Sequence, residues 1–120
     1  MTTKADQARL DIIHRLPCIA CMIFGRGLFC GRVEAHHIVD KGYREHSGGH
    51  QATLPLGKWH HRGEPLTTEW TVKEMTATFG PSLAKSKREF IRVFGTEREL
   101  LAKVDGQLRS SRLTLIQPSA

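Results

Sequence analysis

Apolar positions at the start of the chain follow the period of a helix. One face of the segment 3–16 carries its apolar residues at helical spacing, namely Ala5, Ala8, Ile12 and Leu16. Thr3 and Asp6 have the spacing of a capping pair at a helix start, and Pro17 prevents the helix from continuing. The pattern therefore predicts an N-terminal helix over 3–16.

The period changes in the middle of the chain. Segment 18–30 predicts a turn-rich knuckle, and 32–39 carries alternating apolar residues, as a half-buried strand does. The polar, glycine-containing stretch 40–49 predicts a loop, and 52–56 predicts a second strand that pairs with the first. A helix is expected to begin at about Lys58 and to stay short, because a glycine and a proline follow it closely.

Three helices are predicted after position 65. The first covers 69–79 and stops at Gly80 and Pro81, since proline cannot continue a helix. The second covers 83–94, with Ser82 as its cap.

A capping box, Thr96-x-x-Glu99, predicts the start of the last helix, which is expected to end near Gly106. The tail 109–120 contains a short apolar run, 113–116, that is either a strand or a disordered end. The residues expected in the core are Trp59, Trp70, Leu83, Phe90, Ile91, Phe94, Leu100, Leu101 and Val104.

Length and composition favour one small domain, and the strands and helices predicted above make its class α+β. A chain of 120 residues is the usual size of a single domain, and 39% hydrophobic residues support only a modest core. The predicted divisions are a helix over 1–16, a metal-binding unit over 17–65, a helical region over 66–108 and a tail over 109–120. A bound metal ion would help to stabilise so small a core.

Charge and cysteine content narrow the class of protein. The net charge of +6 and the pI near 9.7 favour an acidic partner, with nucleic acid first. No apolar run is long enough for a membrane span, and the polar N-terminus is unlike a signal peptide, so we expect an intracellular protein. Its three cysteines are too few for a disulfide framework, and the spacing Cys18-x-x-Cys21 is typical of metal binding.

Six of the seven histidines lie between His36 and His61. One adjacent pair falls on the first predicted strand and another, His60 and His61, on the short helix after the second strand. Hydrolysis of a phosphodiester needs a base that is unprotonated near neutral pH and a cation that offsets the developing negative charge. Imidazoles supply the base and can hold the cation.

This strand, strand and helix order with histidines resembles the HNH (ββα-metal) nuclease superfamily. The resemblance implies that His36 and His61 bind a divalent cation, Mg²⁺ or Mn²⁺, and that His37 is the general base. Because neighbouring side chains on a regular strand point to opposite faces, service of one site by both His36 and His37 requires a bend or bulge. His50 lies near the position of the superfamily's central residue, with metal binding, phosphate contact and loop support as its candidate roles.

His60 and His61 are expected to serve different sites, because neighbours on a helix diverge by about 100°. His60 can face Cys18 and Cys21 in a structural zinc site, which needs four donors. Many zinc-bearing members of the superfamily supply a second cysteine pair here, but this chain has Gly57 and His60 at those places. Cys30 is the first candidate for the fourth ligand, and His46 or a water molecule is the alternative.

Basic residues on and near the helices form a predicted DNA surface that contacts phosphates without reading sequence. Arg62, next to His61, is a candidate grip for the scissile phosphate. The other predicted DNA-binding residues are Lys85, Lys87, Arg88 and Arg92.

Four segments together are similar to a narrower group, the phage recombination-enhancement (Ref) family of RecA-dependent nucleases. They are LPCIAC, VEAHHIV, GHQATLPLGKWHHRG and FGPSLAKSKREFIRVFGTERELL, and the similarity extends over roughly 16–104. The resemblance implies a metal-dependent endonuclease that cuts DNA paired by a RecA filament, in the cytoplasm of a bacterial host and of phage or prophage origin.

Two other functions fit the same residues. A zinc-containing module that binds DNA or protein without catalysis needs only the knuckle and the basic helices. A nuclease directed at RNA needs the same catalytic groups.

Overall fold

The structure is a computed structural model that describes residues 2–25, 27 and 29–116. Its strands are β1 (Val33–His37) and β2 (Thr53–Gly57). Its α-helices are α1 (Lys4–Arg15), α2 (Ile19–Phe24), α3 (Arg44–Ser47), α4 (Lys58–Arg62), α5 (Val72–Phe79), α6 (Lys87–Phe94) and α7 (Glu97–Ile116). The predicted α+β class is confirmed, with helices arranged around a two-stranded sheet.

The two strands pair antiparallel, as predicted. Their register runs from Val33 opposite Gly57 to His37 opposite Thr53 without an inserted residue. The bulge expected at the histidine pair is therefore not present. All five residues of β2 are buried, whereas those of β1 are half-buried, so β2 lies deeper in the domain and β1 lies toward the surface. Helix α4 follows β2 directly and completes a β-β-α unit.

Helix α1 confirms the predicted cap but buries a different face. The side chain of Thr3 accepts from the backbone of Asp6, and the Asp6 side chain accepts in return. Its buried residues are Arg9 and Ile13, whereas Ala5 and Ala8 are exposed. Polar contacts of Arg9 explain which face is buried. Its guanidinium donates to the carbonyl of Thr53 at 2.8 Å and pairs with Asp105, and so connects α1 to β2 and α7.

Local hydrogen bonds move several predicted boundaries. The loop 40–49 contains the short helix α3. Helix α5 starts at Val72 because Thr71 and Glu74 form a capping box. Helix α6 starts at Lys87, since the hydroxyl of Ser82 accepts from the backbone of Lys85 in a separate turn.

Helix α7 begins at the predicted capping box, in which Thr96 and Glu99 each accept from the other's backbone. It continues past Gly106 to Ile116, so the expected end near Gly106 and the strand alternative for 113–116 are wrong. Residues 117–120 of the predicted tail lie outside the described part. Within that part, no helix is long and apolar enough to cross a membrane.

The core lies between the sheet and the helices. Trp59 is 1% exposed and donates its indole N–H to the carbonyl of Gly80. The other predicted core residues are buried, except that Ile91 and Trp70 are half-buried, the latter packing on Phe79. This core fixes α4 against α5 and so sets the direction of the histidines that α4 carries.

Candidate metal centres and active site

Three thiols and one imidazole converge in the core. Cys18, Cys21, Cys30 and His60 each place one ligand atom within 4.8 Å of the others, and all four are buried. The sulfur atoms of Cys18 and Cys30 are 3.8 Å apart, and Nδ1 of His60 lies 3.1–3.7 Å from the three sulfurs. Tetrahedral zinc with Zn–S bonds of about 2.3 Å separates two sulfurs by roughly 3.8 Å. The donor set therefore fits a structural zinc ion.

The His60 ring is oriented for this role. Its Nε2 lies 2.8 Å from the carbonyl oxygen of Phe79, which places the ring proton on Nε2 and leaves the Nδ1 lone pair toward the thiols. The ring is 0% exposed and packs edge-on against Phe94. Such a hydrogen bond from the far nitrogen is the usual way in which a metal-binding histidine is held.

The thiols perturb one another strongly. Hydrogen bonds with Cys21 and Cys30 lower the pKa of Cys18, whereas hydrogen bonds with Cys18 and Cys30 raise the pKa of Cys21. Burial opposes protonation of His60, but Cys18 and Cys30 outweigh it and raise the His60 pKa to about 10. The thiols thus carry negative charge that stabilises a proton on His60 when no metal is bound. A bound cation would neutralise the same charge.

Gly57 explains how the fourth ligand is supplied. A Cβ atom at position 57 would lie 2.3 Å from the sulfur of Cys30, so the thiol of Cys30 occupies the space that any side chain there would need. The backbone of Gly57 has φ −63° and ψ 159°, which every residue adopts, so the requirement for glycine is steric alone. Of the candidate ligands, Cys30 joins the cluster, whereas the ring of His46 stacks on Tyr43.

A second group of side chains lies on the outer side of α4. The rings of His36 and His61 have centroids 5.0 Å apart. Nδ1 of His61 lies 2.8 Å from Oε1 of Glu34, which fixes the ring and leaves Nε2 as its free nitrogen. Burial lowers the pKa of His61 despite this carboxylate, so the ring is neutral at pH 7 and able to bind a cation.

His36 carries a buried nitrogen with no hydrogen-bond partner in the described part of the chain. That atom, Nε2, lies 3.4 Å from Oε1 of Glu97, close enough for an ion pair but without hydrogen-bond geometry. The other oxygen of Glu97 accepts from the backbone of Val39, and the nearby His36 ring holds the Glu97 pKa below its ordinary value. An unpartnered buried imidazole beside a carboxylate fits a cation site.

His37 points to a different set of neighbours. Its Nε2 lies 2.8 Å from Nδ1 of His50, and both rings line an open groove of about 460 Å³ with Arg44. Burial, then the charge of Arg44, then His50 lower the His37 pKa to about 4. His37 is thus neutral at pH 7. The two strand histidines face apart, as a regular strand requires, although His36 and His61 still affect the His37 pKa electrostatically.

Some of the predicted DNA-binding residues already pair with carboxylates of the protein, whereas the others are exposed. Arg62 donates twice to Glu34, at 2.9 and 2.7 Å, and also pairs with Glu64, so it supports the Glu34–His61 contact. Arg92 pairs with Glu89 along α6. The remaining predicted residues, Lys85, Lys87 and Arg88, are exposed, and the stem of Lys85 approaches Gly63.

One comparison bears on this arrangement. A family model described as "Recombination enhancement, RecA-dependent nuclease" matches residues 2–109. The chain belongs to this family. The match includes the cysteine cluster and every histidine described above, and it confirms the family expected from the sequence motifs.

Three side chains that lie close to the candidate catalytic histidines were not among the residues predicted from the sequence. Glu34 and Glu97 approach the His36–His61 pair, and Arg44 approaches His37. Glu34 precedes His36 by one strand repeat and shares its face, which was an available signal. Glu97 and Arg44 come from elements distant in sequence, and their positions depend on tertiary packing.

Replacing Arg44 by alanine is expected to raise the His37 pKa above about 4, because a positive charge near the ring is removed. Histidine NMR titration without added divalent cation measures this directly. Because the folded-state pKa of His37 lies below the ordinary 6.5, protonation of this ring opposes folding. The free energy of unfolding therefore falls as the pH drops from 6.5 to about 4, and it should fall less in R44A. An unchanged pKa in R44A would contradict the assigned contact.

Proposed function

We propose that this chain is a metal-dependent DNA endonuclease of the HNH type that acts on DNA paired by a RecA filament. Membership of a family of RecA-dependent nucleases supports the reaction class. The observation that carries the mechanism is the pairing of His36, with its unpartnered buried Nε2, and His61, held by Glu34, on one β-β-α unit.

His36 and His61 would hold a catalytic divalent cation, Mg²⁺ or Mn²⁺. Within the described chain, only the cysteine cluster brings three or more ligand atoms within 4.8 Å. The His36–His61 pair therefore leaves coordination positions for water and a phosphate oxygen, as a catalytic site requires. When bound, the cation offsets the negative charge that develops on the phosphate and the leaving oxygen.

In this proposal His37 takes a proton from the attacking water. It faces away from His36 on the regular strand, but it is the last residue of β1 and lies close enough to His36 and His61 for both to lower its pKa. Its low pKa keeps the ring unprotonated at pH 7 but also weakens it as a base. A phosphate that binds Arg44 in the same groove would offset the charge that lowers the pKa, and so would raise the basicity of His37 when DNA is present. His50 orients the ring through its 2.8 Å contact, and metal binding by His50 stays a prediction.

DNA and a RecA filament are the proposed partners. The net charge of +6 supports nonspecific attraction to phosphates, which needs no base reading by the protein. Lys87 lies near enough to Glu97 to lower its pKa, so a basic side chain of α6 stands beside the proposed cation site. Targeting would then come from the filament, which supplies base pairing.

The test is cleavage of a plasmid paired with a RecA-coated complementary oligonucleotide in Mg²⁺. We expect strand cutting near the paired segment that is absent when RecA is omitted or when the oligonucleotide has no complement in the plasmid. Binding without cutting in any divalent cation would instead identify a non-catalytic DNA-binding module. Preferential cutting of RNA would assign the nuclease a different substrate.

Replacing Glu34 by glutamine is expected to weaken catalytic-cation binding about 10- to 100-fold, because outer carboxylates hold metal-binding histidines. Mn²⁺ titration monitored by calorimetry on the zinc-loaded protein gives the affinity. Glu64→Gln is the matched control, since Glu64 also pairs with Arg62 but does not contact His61 in the described interactions. Equal effects of both substitutions would rule out orientation of His61 by Glu34.

A further inference from the structure

An exposed aromatic ring stands at the edge of a groove next to the His61 site. Phe29 is 68% exposed, the most exposed of the large hydrophobic side chains in the described part. It lines a groove of about 540 Å³ together with Arg32, Lys58 and Arg62. Exposure of so large an apolar surface is unfavourable in water, so a ligand that covers the ring would be stabilised there.

The charges of this groove favour an anionic ligand. Arg32 makes no ion pair in the described structure, and it is exposed. The amine of Lys58 donates to the carbonyl of Leu66 and lies 3.7 Å from Glu64, and the Lys58 side chain is 23% exposed. Glu34 is the acidic residue of the lining, and Arg62 and His61 outweigh its burial and lower its pKa. The groove therefore combines cations with one aromatic face.

Backbone hydrogen bonds beside the cysteine cluster hold the groove in place. Cys30 follows Phe29 directly, and its carbonyl accepts from the backbone of Trp59. The carbonyl of Arg32 accepts from the backbone of Lys58 at 3.0 Å. Gly31 has φ +121°, and a Cβ there would lie 2.4 Å from the Lys58 side chain, so glycine lets that side chain pass close to the backbone.

The groove is also connected to the proposed chemistry. Glu34 lines it and contacts Nδ1 of His61 at 2.8 Å. A strand with a phosphate at the His36–His61 site would thus bring its next nucleotides toward Arg32 and Phe29.

We propose that this groove is a subsite for single-stranded DNA, in which an unpaired base stacks on Phe29 and its flanking phosphates pair with Arg32 and Lys58. The proposal rests on the proposed nuclease function for its position beside the cut, but base stacking is a binding property that is measured separately. An aromatic face with neighbouring cations is the arrangement by which proteins bind unpaired strands without reading sequence.

The test compares two labelled ligands of equal charge. One is an oligothymidylate of about eight nucleotides, and the other is an abasic phosphodiester of the same length. Binding is measured by fluorescence anisotropy to the zinc-loaded full chain without Mg²⁺, which prevents cutting. We expect the base-bearing strand to bind roughly 10- to 100-fold more tightly. Phe29→Ala should remove this preference and leave abasic binding unchanged, whereas Phe29→Trp should keep it.

Tyr43→Ala is the matched control, because Tyr43 is another exposed aromatic residue, 55% exposed, whose ring already stacks on His46. It should keep the preference for bases. Zinc content of Phe29→Ala should equal that of the wild type, since Phe29 neighbours Cys30. No preference in the wild type, as expected if a protein partner covers the groove, or a preference that survives in F29A, would overturn the proposal. Absence of cutting beside a Phe29-dependent preference would reject the nuclease function alone.

Discussion

Replacement of His37 by alanine is expected to lower the rate of DNA cutting by about 100- to 10,000-fold, the usual contribution of a general base. His37 is neutral at pH 7, lines an open groove and is held by His50. DNA affinity should change little, because a neutral ring contributes no charge to phosphate binding. Single-turnover cutting of RecA-paired plasmid and oligonucleotide anisotropy measure the two properties.

The matched control for this variant is His46→Ala. His46 is exposed, its ring stacks on Tyr43, and it is outside the proposed catalytic groups, so its removal should leave the cutting rate near that of the wild type. A His37→Ala protein that cuts at the wild-type rate would exclude His37 as the base. A similar loss in both variants would point to general damage to the fold.

Replacement of Gly57 by alanine is expected to eject zinc, because one added methyl group would lie 2.3 Å from the sulfur of Cys30. Structural zinc contributes on the order of 10 kcal/mol in small zinc domains, more than most substitutions change. Loss of even part of it should lower the melting temperature by at least about 10 °C. Elemental analysis and calorimetry of the purified protein measure both effects.

Gly106→Ala is the control for that substitution. In α7, the described neighbour of a Cβ at Gly106 is an Arg109 nitrogen at 3.9 Å, so alanine fits there and favours the helix. A double variant sharpens the test: Cys30→Gly with Gly57→Cys vacates the crowded space and returns a thiol from the other side. Recovery of zinc in the double variant is expected, and full zinc content in Gly57→Ala would show that Cys30 is not a ligand.

Much of the fold follows from local patterns. The capping box of α1, the hairpin and the short helix after it are encoded by residues close together in sequence. Boundaries failed where a second local signal competed, as the Thr71–Glu74 box did for α5. Burial on α1 failed because Arg9 reaches a carbonyl of β2, and no periodic pattern of apolar residues contains that contact.

Those parts of the two candidate sites that depend on local geometry were predictable from the sequence, whereas those that depend on tertiary packing were not. Different directions for His60 and His61 follow from helix geometry, and the structure places His60 with the thiols and His61 with His36. Cys30 was one of several possible ligands because its approach depends on the space above Gly57, which sequence alone does not show. Glu97 reaches His36 because the first residue of α7 lies beside the chain that follows β1, where it also accepts from the backbone of Val39, so its part in the site is a product of tertiary structure.

Helix α4 is five residues long, too short to be stable in isolation. Two of its consecutive rings face different centres, one in the thiol cluster and one beside Glu34. Oxidation of the thiols would therefore release the helix from the interior and let the neighbouring ring swing away from its partners. In the proposed nuclease, damage to the buried thiol cluster would then disturb the cation site as well, even with abundant Mg²⁺.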